Sequence, residues 1–189
     1  TAKHLLDLYI GTLLLSLKRW HEMFKKNLIK FEKEIDFNSI AEILKGDDYT
    51  TQISSTWLGE YVLNSIFKIK GIQNLKSFNP LFNDLNKACN PQNYYSNLDM
   101  FFSFIAGSRS ITHKDSFDVY ILGVKGRTLY KIEDKEFIIT PGDLLRIPKD
   151  TTHLAISLDP RIILSLGVYT KWVLKKINIQ LFVKLSQKT

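Results

Sequence analysis

The chain reads as an α+β protein, mainly β, in which helices come first and a double-stranded jelly-roll barrel follows. Three observations predict this. Before Met100 the apolar residues recur mostly at helical intervals, and from Met100 onward they recur in short stretches of strand character. Those stretches are separated by turn residues throughout. A length of 189 residues suits one well-buried domain, or one domain with a helical extension, and is short for two independent cores. The expected organisation is a helical region over 1–97 that packs on the barrel, a barrel core over 98–170 and a C-terminal extension over 171–189.

The first helix is predicted over 5–28, where Leu5, Leu6, Tyr9, Leu13, Leu17, Trp20, Phe24 and Leu28 form an apolar stripe with lysines between them. It is a scaffold helix, and its stripe is a candidate homodimer contact. A short helix is expected over 39–44, with Asn38 or Asp36 placed to cap it. A third over 57–69 carries Leu58, Val62, Leu63, Ile66 and Phe67 and stops at Gly71. Residues 77–96 read as an irregular connection because of Pro80, Pro91 and many asparagines, with Leu81, Phe82 and Leu85 to pin it down.

Eight strands are predicted, over 100–105, 110–113, 118–124, 127–132, 136–139, 143–147, 153–157 and 162–169. Gly107-Ser108, Lys125-Gly126, Glu133-Asp134-Lys135, Pro141-Gly142 and Asp159-Pro160 supply the turns between them. So many short strands close naturally into a barrel or jelly roll.

Composition excludes several classes. A hydrophobic fraction of 44% rules out intrinsic disorder. The formal net charge of +7 invites a polyanionic partner, but the lysines cluster on the first helical pattern and in the C-terminal segment, away from the barrel. They read as solvated faces, which speaks against nucleic acid. Cys89 is the only cysteine, so neither an intrachain disulfide nor a cysteine zinc cluster can form. The apolar stretch over 5–17 is broken by polar residues and too short to span a bilayer, and no secretory signal stands out, so a cytoplasmic protein without membrane contact is expected.

The chemistry lies at strand ends. His113 and Asp115 are separated by Lys114 alone, so on an extended strand both side chains point to one face and can grip one ion. His153 opens another predicted strand after Pro148-Lys149-Asp150, where a barrel can bring it beside the first pair. Two imidazoles and one carboxylate on one side of a metal leave the opposite positions open, as non-haem Fe(II) requires. The remaining histidines, His4 and His21, fall on the first helical pattern and read as surface or packing residues.

The stretch from Ile111 through His113-Lys114-Asp115 to Leu122, then Gly126, Pro141-Gly142-Asp143-Leu144-Leu145-Arg146-Ile147-Pro148, His153 and Leu164-Ser165-Leu166-Gly167-Val168-Tyr169, resembles the ribosomal-oxygenase-like branch of the Jumonji-C-type cupins. The resemblance covers about 101–169. It implies a cupin barrel that binds Fe(II), the cosubstrate 2-oxoglutarate and O2, and hydroxylates an amino-acid side chain of a peptide, protein or small molecule. His113, Asp115 and His153 match its metal triad, and an intact Asp115 argues against halogenation.

Two departures stand out. Related enzymes hold the distal carboxylate of 2-oxoglutarate with Lys or Arg on a strand after the first pair, where this chain has Thr128. A dicarboxylate inside a barrel needs a cation or several donors. Arg161 is the candidate cation, Arg127 would need a bulge to turn inward, and Ser110, Thr128 and Tyr120 are candidate donors. Secondly, the tight Glu133-Asp134-Lys135 hairpin replaces a longer insertion, so the entrance is expected from the 77–96 connection, with Asn93, Tyr94 and Tyr95 as candidate substrate contacts. The alternatives are a metal-dependent cupin dioxygenase or isomerase that does without 2-oxoglutarate, and a non-catalytic cupin binding module.

Overall fold

In the computed structural model, residues 23–31, 35–46, 65–90 and 92–169 are described. The predicted C-terminal extension and most of the first and third predicted helices lie outside them. In chain order the elements are β1 (Phe24–Lys25), α1 (Phe37–Gly46), β2 (Phe67–Ile69), a 3-10 turn (Ile72–Asn74), α2 (Asn79–Cys89), β3 (Tyr95–Ser103), β4 (Asp118–Lys125), β5 (Thr128–Ile132), β6 (Lys135–Ile139), β7 (Leu144–Ile147), β8 (His153–Ser157) and β9 (Arg161–Tyr169). The major sheet runs β1-β7-β4-β9-β3-β2 and the minor sheet β6-β5-β8, with antiparallel pairing throughout. This is the mainly β, double-stranded β-helix of the cupin class.

Strict alternation along β9 divides the molecule. Ile162, Leu164, Leu166 and Val168 join the apolar cluster beneath the helices, whereas Arg161, Ile163, Ser165, Gly167 and Tyr169 line the barrel interior. Strand β3, paired with β9 along its whole length, divides in the same register: Leu98 and Met100 face the helices, and Asn97, Asp99 and Phe101 face inward. A one-residue slip would exchange two buried environments of opposite character, so burial on both sides fixes the pairing.

Helix α1 is capped by Asp36, whose Oδ1 accepts the Ser39 amide and the Ser39 hydroxyl, each at 2.7 Å. Those bonds hold the carboxyl below its ordinary range. Helix α2 replaces the irregular connection expected over 77–96. Leu81, Leu85 and Cys89 recur every fourth residue and are buried, and Pro80 stands in the first turn, where its missing N–H has no helical partner to lose. The asparagines that suggested a loop serve the ends of this helix. Asn90 binds the Tyr94 backbone in both directions, at 2.7 and 2.9 Å.

The N-terminal segment also differs from its helical reading, because Phe24 and Lys25 pair with Leu145 and Leu144 as an edge strand. Likewise Phe67–Ile69, expected at the end of a helix, pairs with β3. Aromatic and β-branched residues of this kind suit a sheet edge when a partner strand offers a ladder. The Pro141-Gly142-Asp143 turn anchors the first segment. Gly142 has φ 89°, and a Cβ there would lie 2.1 Å from the carbonyl oxygen of Ile29. The buried Asp143 carboxylate accepts the amides of Asn27 and Thr140 and the Thr140 hydroxyl.

The strand expected over 110–113 is an irregular ribbon beside β8. It is bridged at Arg109↔Ile156 and His113↔His153, with three residues between the bridges on one side against two on the other. The extra residue breaks the ladder while leaving both anchor points in place. Among the described residues, no helix is long and apolar enough to cross a membrane.

Candidate metal centre and cavity

A cavity of about 530 Å³ lies between the two sheets. At one end His113, Asp115 and His153 converge, with one potential ligand atom from each lying within 4.8 Å of the others. The Asp115 Oδ2 stands 3.9 Å from His113 Nε2 and 3.5 Å from His153 Nε2. Two atoms each bonded to one ion at about 2.0–2.2 Å are separated by at most ~4.4 Å, so both Asp115 spacings suit a shared cation, and the 4.8 Å span of the set exceeds that limit by a few tenths of an ångström.

Each imidazole is oriented by its own backbone. His113 Nδ1 lies 2.9 Å from the Ile111 carbonyl and His153 Nδ1 lies 3.0 Å from the Thr151 carbonyl. A carbonyl only accepts, so both Nδ1 atoms carry the proton and both Nε2 lone pairs are free for a metal. The rings, with centroids 4.3 Å apart, are held by a reciprocal backbone pair, His113 N–H to His153 C=O at 3.0 Å and the reverse at 2.9 Å. Burial lowers the His153 pKa, which keeps the neutral, ligating form dominant. Asp115 is held through its carbonyl, which accepts the Asp150 amide.

The other end is built around Arg161. Its side chain is among the most deeply buried in the protein, at 1% exposure. Nη1 donates to Thr128 Oγ1 at 3.1 Å, Tyr130 hydrogen-bonds the same guanidinium, and Nε has no acceptor. Among the described residues no carboxylate pairs with it. Burial lowers the guanidinium pKa and raises that of the Tyr130 phenol to about 12, each disfavouring its charged form. Thr128 and Arg161 therefore meet across the barrel from different strands.

Arg127 does not turn inward. Its guanidinium makes a two-pronged pair with Asp159, at 2.7 and 3.0 Å, and clamps the turn that leads into β9. Tyr120 faces the helix-side cluster, since its inward neighbours on β4 are Val119 and Ile121. Ser110 lines the cavity, although its hydroxyl already accepts the Ala155 amide at 2.9 Å.

Asn93, Tyr94 and Tyr95 lie away from the cavity wall. Asn93 occupies a turn with φ 50°, Tyr94 packs against the helix-side cluster, and Tyr95 is 56% exposed. Tyr95 lies against Tyr169, which lines the cavity, with ring centroids 5.4 Å apart. Because α2 packs beneath the major sheet, the wall at the mouth is formed instead by Ile66 and Lys68 around β2 and by Arg109 on the opposing ribbon. Sequence reasoning passed over these residues, together with Asn97, Asp99 and Tyr130. The one available signal was polar side chains at the inward positions of apolar strands.

The same architecture occurs in solved structures of YcfD, a ribosomal oxygenase from Escherichia coli. The complex with cobalt and 2-oxoglutarate aligns with TM-score 0.66 and 19% identity, covering 94% of this chain and 58% of that one. The complex with cobalt and succinic acid aligns with TM-score 0.65 and 18% identity, covering 84% and 52%. The chain shares their fold. It spans about half the length of those structures. No family model matches the sequence, and no curated protein matches it significantly.

Proposed function

We propose that the protein is an Fe(II)- and 2-oxoglutarate-dependent hydroxylase acting on an amino-acid side chain of a peptide, protein or small molecule. His113, Asp115 and His153 would hold the metal, and Arg161 would hold the distal carboxylate of the cosubstrate. The observation that carries this reading is the buried guanidinium of Arg161, which shares one cavity with the triad and has no acidic partner among the described residues. A charge buried without compensation costs on the order of 3–5 kcal/mol, so an anion that enters the cavity is strongly favoured there. A cupin that used the metal alone would leave this charge unexplained.

When bound, Fe(II) with 2-oxoglutarate and O2 supplies the oxidising power for hydroxylation of a C–H bond. The chain's own groups bind and orient. Thr128 and Tyr130 fix the guanidinium, so the carboxylate is received by donors already in place. Phe117, Val119, Ile121 and Ile163 provide apolar walls around the carbon chain and restrict water. Both imidazoles are fixed in the ligating tautomer by the carbonyls of Ile111 and Thr151. The cobalt and 2-oxoglutarate bound by the structurally similar oxygenase agree with this reading.

The test is an anaerobic titration of the apo-protein with Fe(II) and then 2-oxoglutarate, followed by visible absorption of the metal-bound cosubstrate. The expected result is a band that is absent in His153→Ala and that needs far more cosubstrate in Arg161→Met. Metal binding without a band would transfer support to a cupin enzyme that does not use 2-oxoglutarate, and absence of metal binding would leave a ligand-binding barrel.

A further inference from the structure

Arg109 stands apart from every other charged group on the cavity wall. Asp115 belongs to the triad and Arg161 is assigned to the cosubstrate. Lys68 and Asp99 form a pair at 2.7 Å, with Lys68 also 4.8 Å from the centroid of the Phe101 ring. Asp99 is further occupied by the Gly71 amide at 3.0 Å and by Asn97 Nδ2 at 2.9 Å. Arg109 lines the same cavity with an exposed side chain, and among the described residues that side chain has neither an ion pair nor a hydrogen bond.

Its backbone, by contrast, is fixed. Arg109 bridges Ile156, and the next residue, Ser110, binds Ala155 twice, donating its amide to the Ala155 carbonyl and accepting the Ala155 amide at its hydroxyl, each at 2.9 Å. A free cationic head on a pinned root is arranged for a ligand that comes from outside. The ribbon continues to His113, and at ~3.3 Å per extended residue the roots of Arg109 and His113 are at most about 13 Å apart. Arg109 and the triad line one cavity, so a ligand held by Arg109 occupies the space into which the metal end opens.

On the oxygenase reading, we infer that the substrate carries an oxyanion, a carboxylate or a phosphate, which Arg109 receives at the mouth while the atom to be hydroxylated lies at the metal end. A guanidinium presents paired donors to either group. It repels a cationic substrate. Arg109 is on this account a specificity-determining residue outside the metal and cosubstrate sites.

The test uses the whole chain loaded with Co(II) and 2-oxoglutarate, which is unreactive and is followed by calorimetry and by the visible bands of cobalt. Four capped probes are titrated: N-acetylglutamate amide, N-acetyl-O-phosphoserine amide, N-acetylglutamine amide and N-acetylarginine amide. At least one of the two anionic probes should bind about tenfold more tightly than the glutamine probe, and which of them does so separates carboxylate from phosphate. The preference should fall below about twofold in Arg109→Gln and be partly retained in Arg109→Lys, with the response to 2-oxoglutarate unchanged in both. Equal or tighter binding of the arginine probe overturns the inference, as does an undiminished preference in Arg109→Gln or no binding by any probe. If 2-oxoglutarate fails to perturb bound Co(II), the oxygenase reading falls and takes this inference with it; a normal response without anion preference removes only the inference.

Discussion

The two ends of the cavity solve different problems with different materials. At the metal end two of the three side chains are partly open, His113 and Asp115 at 38% and 26% exposure, while His153 is buried, and backbone carbonyls aim the rings. At the inner end one guanidinium is almost wholly enclosed and leans on a threonine and a tyrosine, neither of which neutralises it. The first end gathers neutral and negative donors around a place suited to a cation. The second leaves a cation waiting for an anion. The contrast explains why one cavity can take a metal and a dicarboxylate together: each end lacks the charge that the other partner brings.

Replacing donors at the metal end should have the largest effect. Asp115→Ala is expected to weaken Co(II) binding by at least about 100-fold, since even second-sphere changes reach 10–100-fold in metal sites. The melting temperature of the metal-free protein should change little, because Asp115 is partly exposed. If metal affinity survives, the triad is not the metal centre.

Arg161→Met tests the opposite end and should separate function from stability. Cosubstrate affinity is expected to fall by about 100-fold, equivalent to ~3 kcal/mol. Thermal unfolding of the ligand-free variant should be unchanged or shifted upward, because a buried, unpaired charge has been replaced by an apolar side chain. A large loss of stability would make Arg161 a structural residue instead.

The turn that delivers Arg161 comes next. Gly126 has φ 66°, and a Cβ there would lie 2.2 Å from the carbonyl oxygen of Pro160. Gly126→Ala should therefore destabilise the protein by roughly 1–3 kcal/mol, and denaturant unfolding reports it. Cosubstrate affinity should weaken more than metal affinity in this variant, since the Gly126 turn touches only the start of β9.

The smallest effect concerns acid stability. The hydrogen bonds from Arg127 lower the Asp159 pKa below its ordinary 3.8, so the pair's contribution is complete above that value and disappears as the pH falls through the lowered one. Asp159→Asn should cause a slight loss of stability near neutrality that vanishes at the acid end of a pH series. A variant less stable by the same amount at every pH would show that the pair's charge is not responsible.

These expectations also mark how far the sequence could be read. His113 and Asp115 were singled out because alternate residues of an extended segment can share a face, and His153 because it opens a strand in the expected order; the three do converge, although His113 and Asp115 lie on an irregular ribbon and not in a strand. The barrel was legible from alternation and turns: six predicted strands fall within one residue of their expected bounds, the first begins earlier, at Tyr95, and the one expected over 110–113 is an irregular ribbon. Helix α2 was obscured by its asparagines, whose local hydrogen-bonding preference suggests loops until the buried Leu81, Leu85 and Cys89 give them a helix to cap. Strands β1 and β2 were obscured because short aromatic segments carry no period of their own and take their conformation from the sheet edge they join.

By itself, then, the sequence determined which residues can share a face: the His-x-Asp pair, the inward and outward halves of β9, and the glycines that turn the chain. Tertiary structure alone decided which faces meet. Arg161 finds Thr128 and Tyr130 because two sheets fold over one another, while Arg127, one residue from Thr128, is directed to Asp159 on the surface. Tyr120 is drawn under the helices by the same alternation that sends Val119 and Ile121 into the cavity. The reason is physical: alternation along a strand is a local property of the backbone, whereas the partner across a barrel is set by register and sheet closure, which depend on residues far apart in the chain.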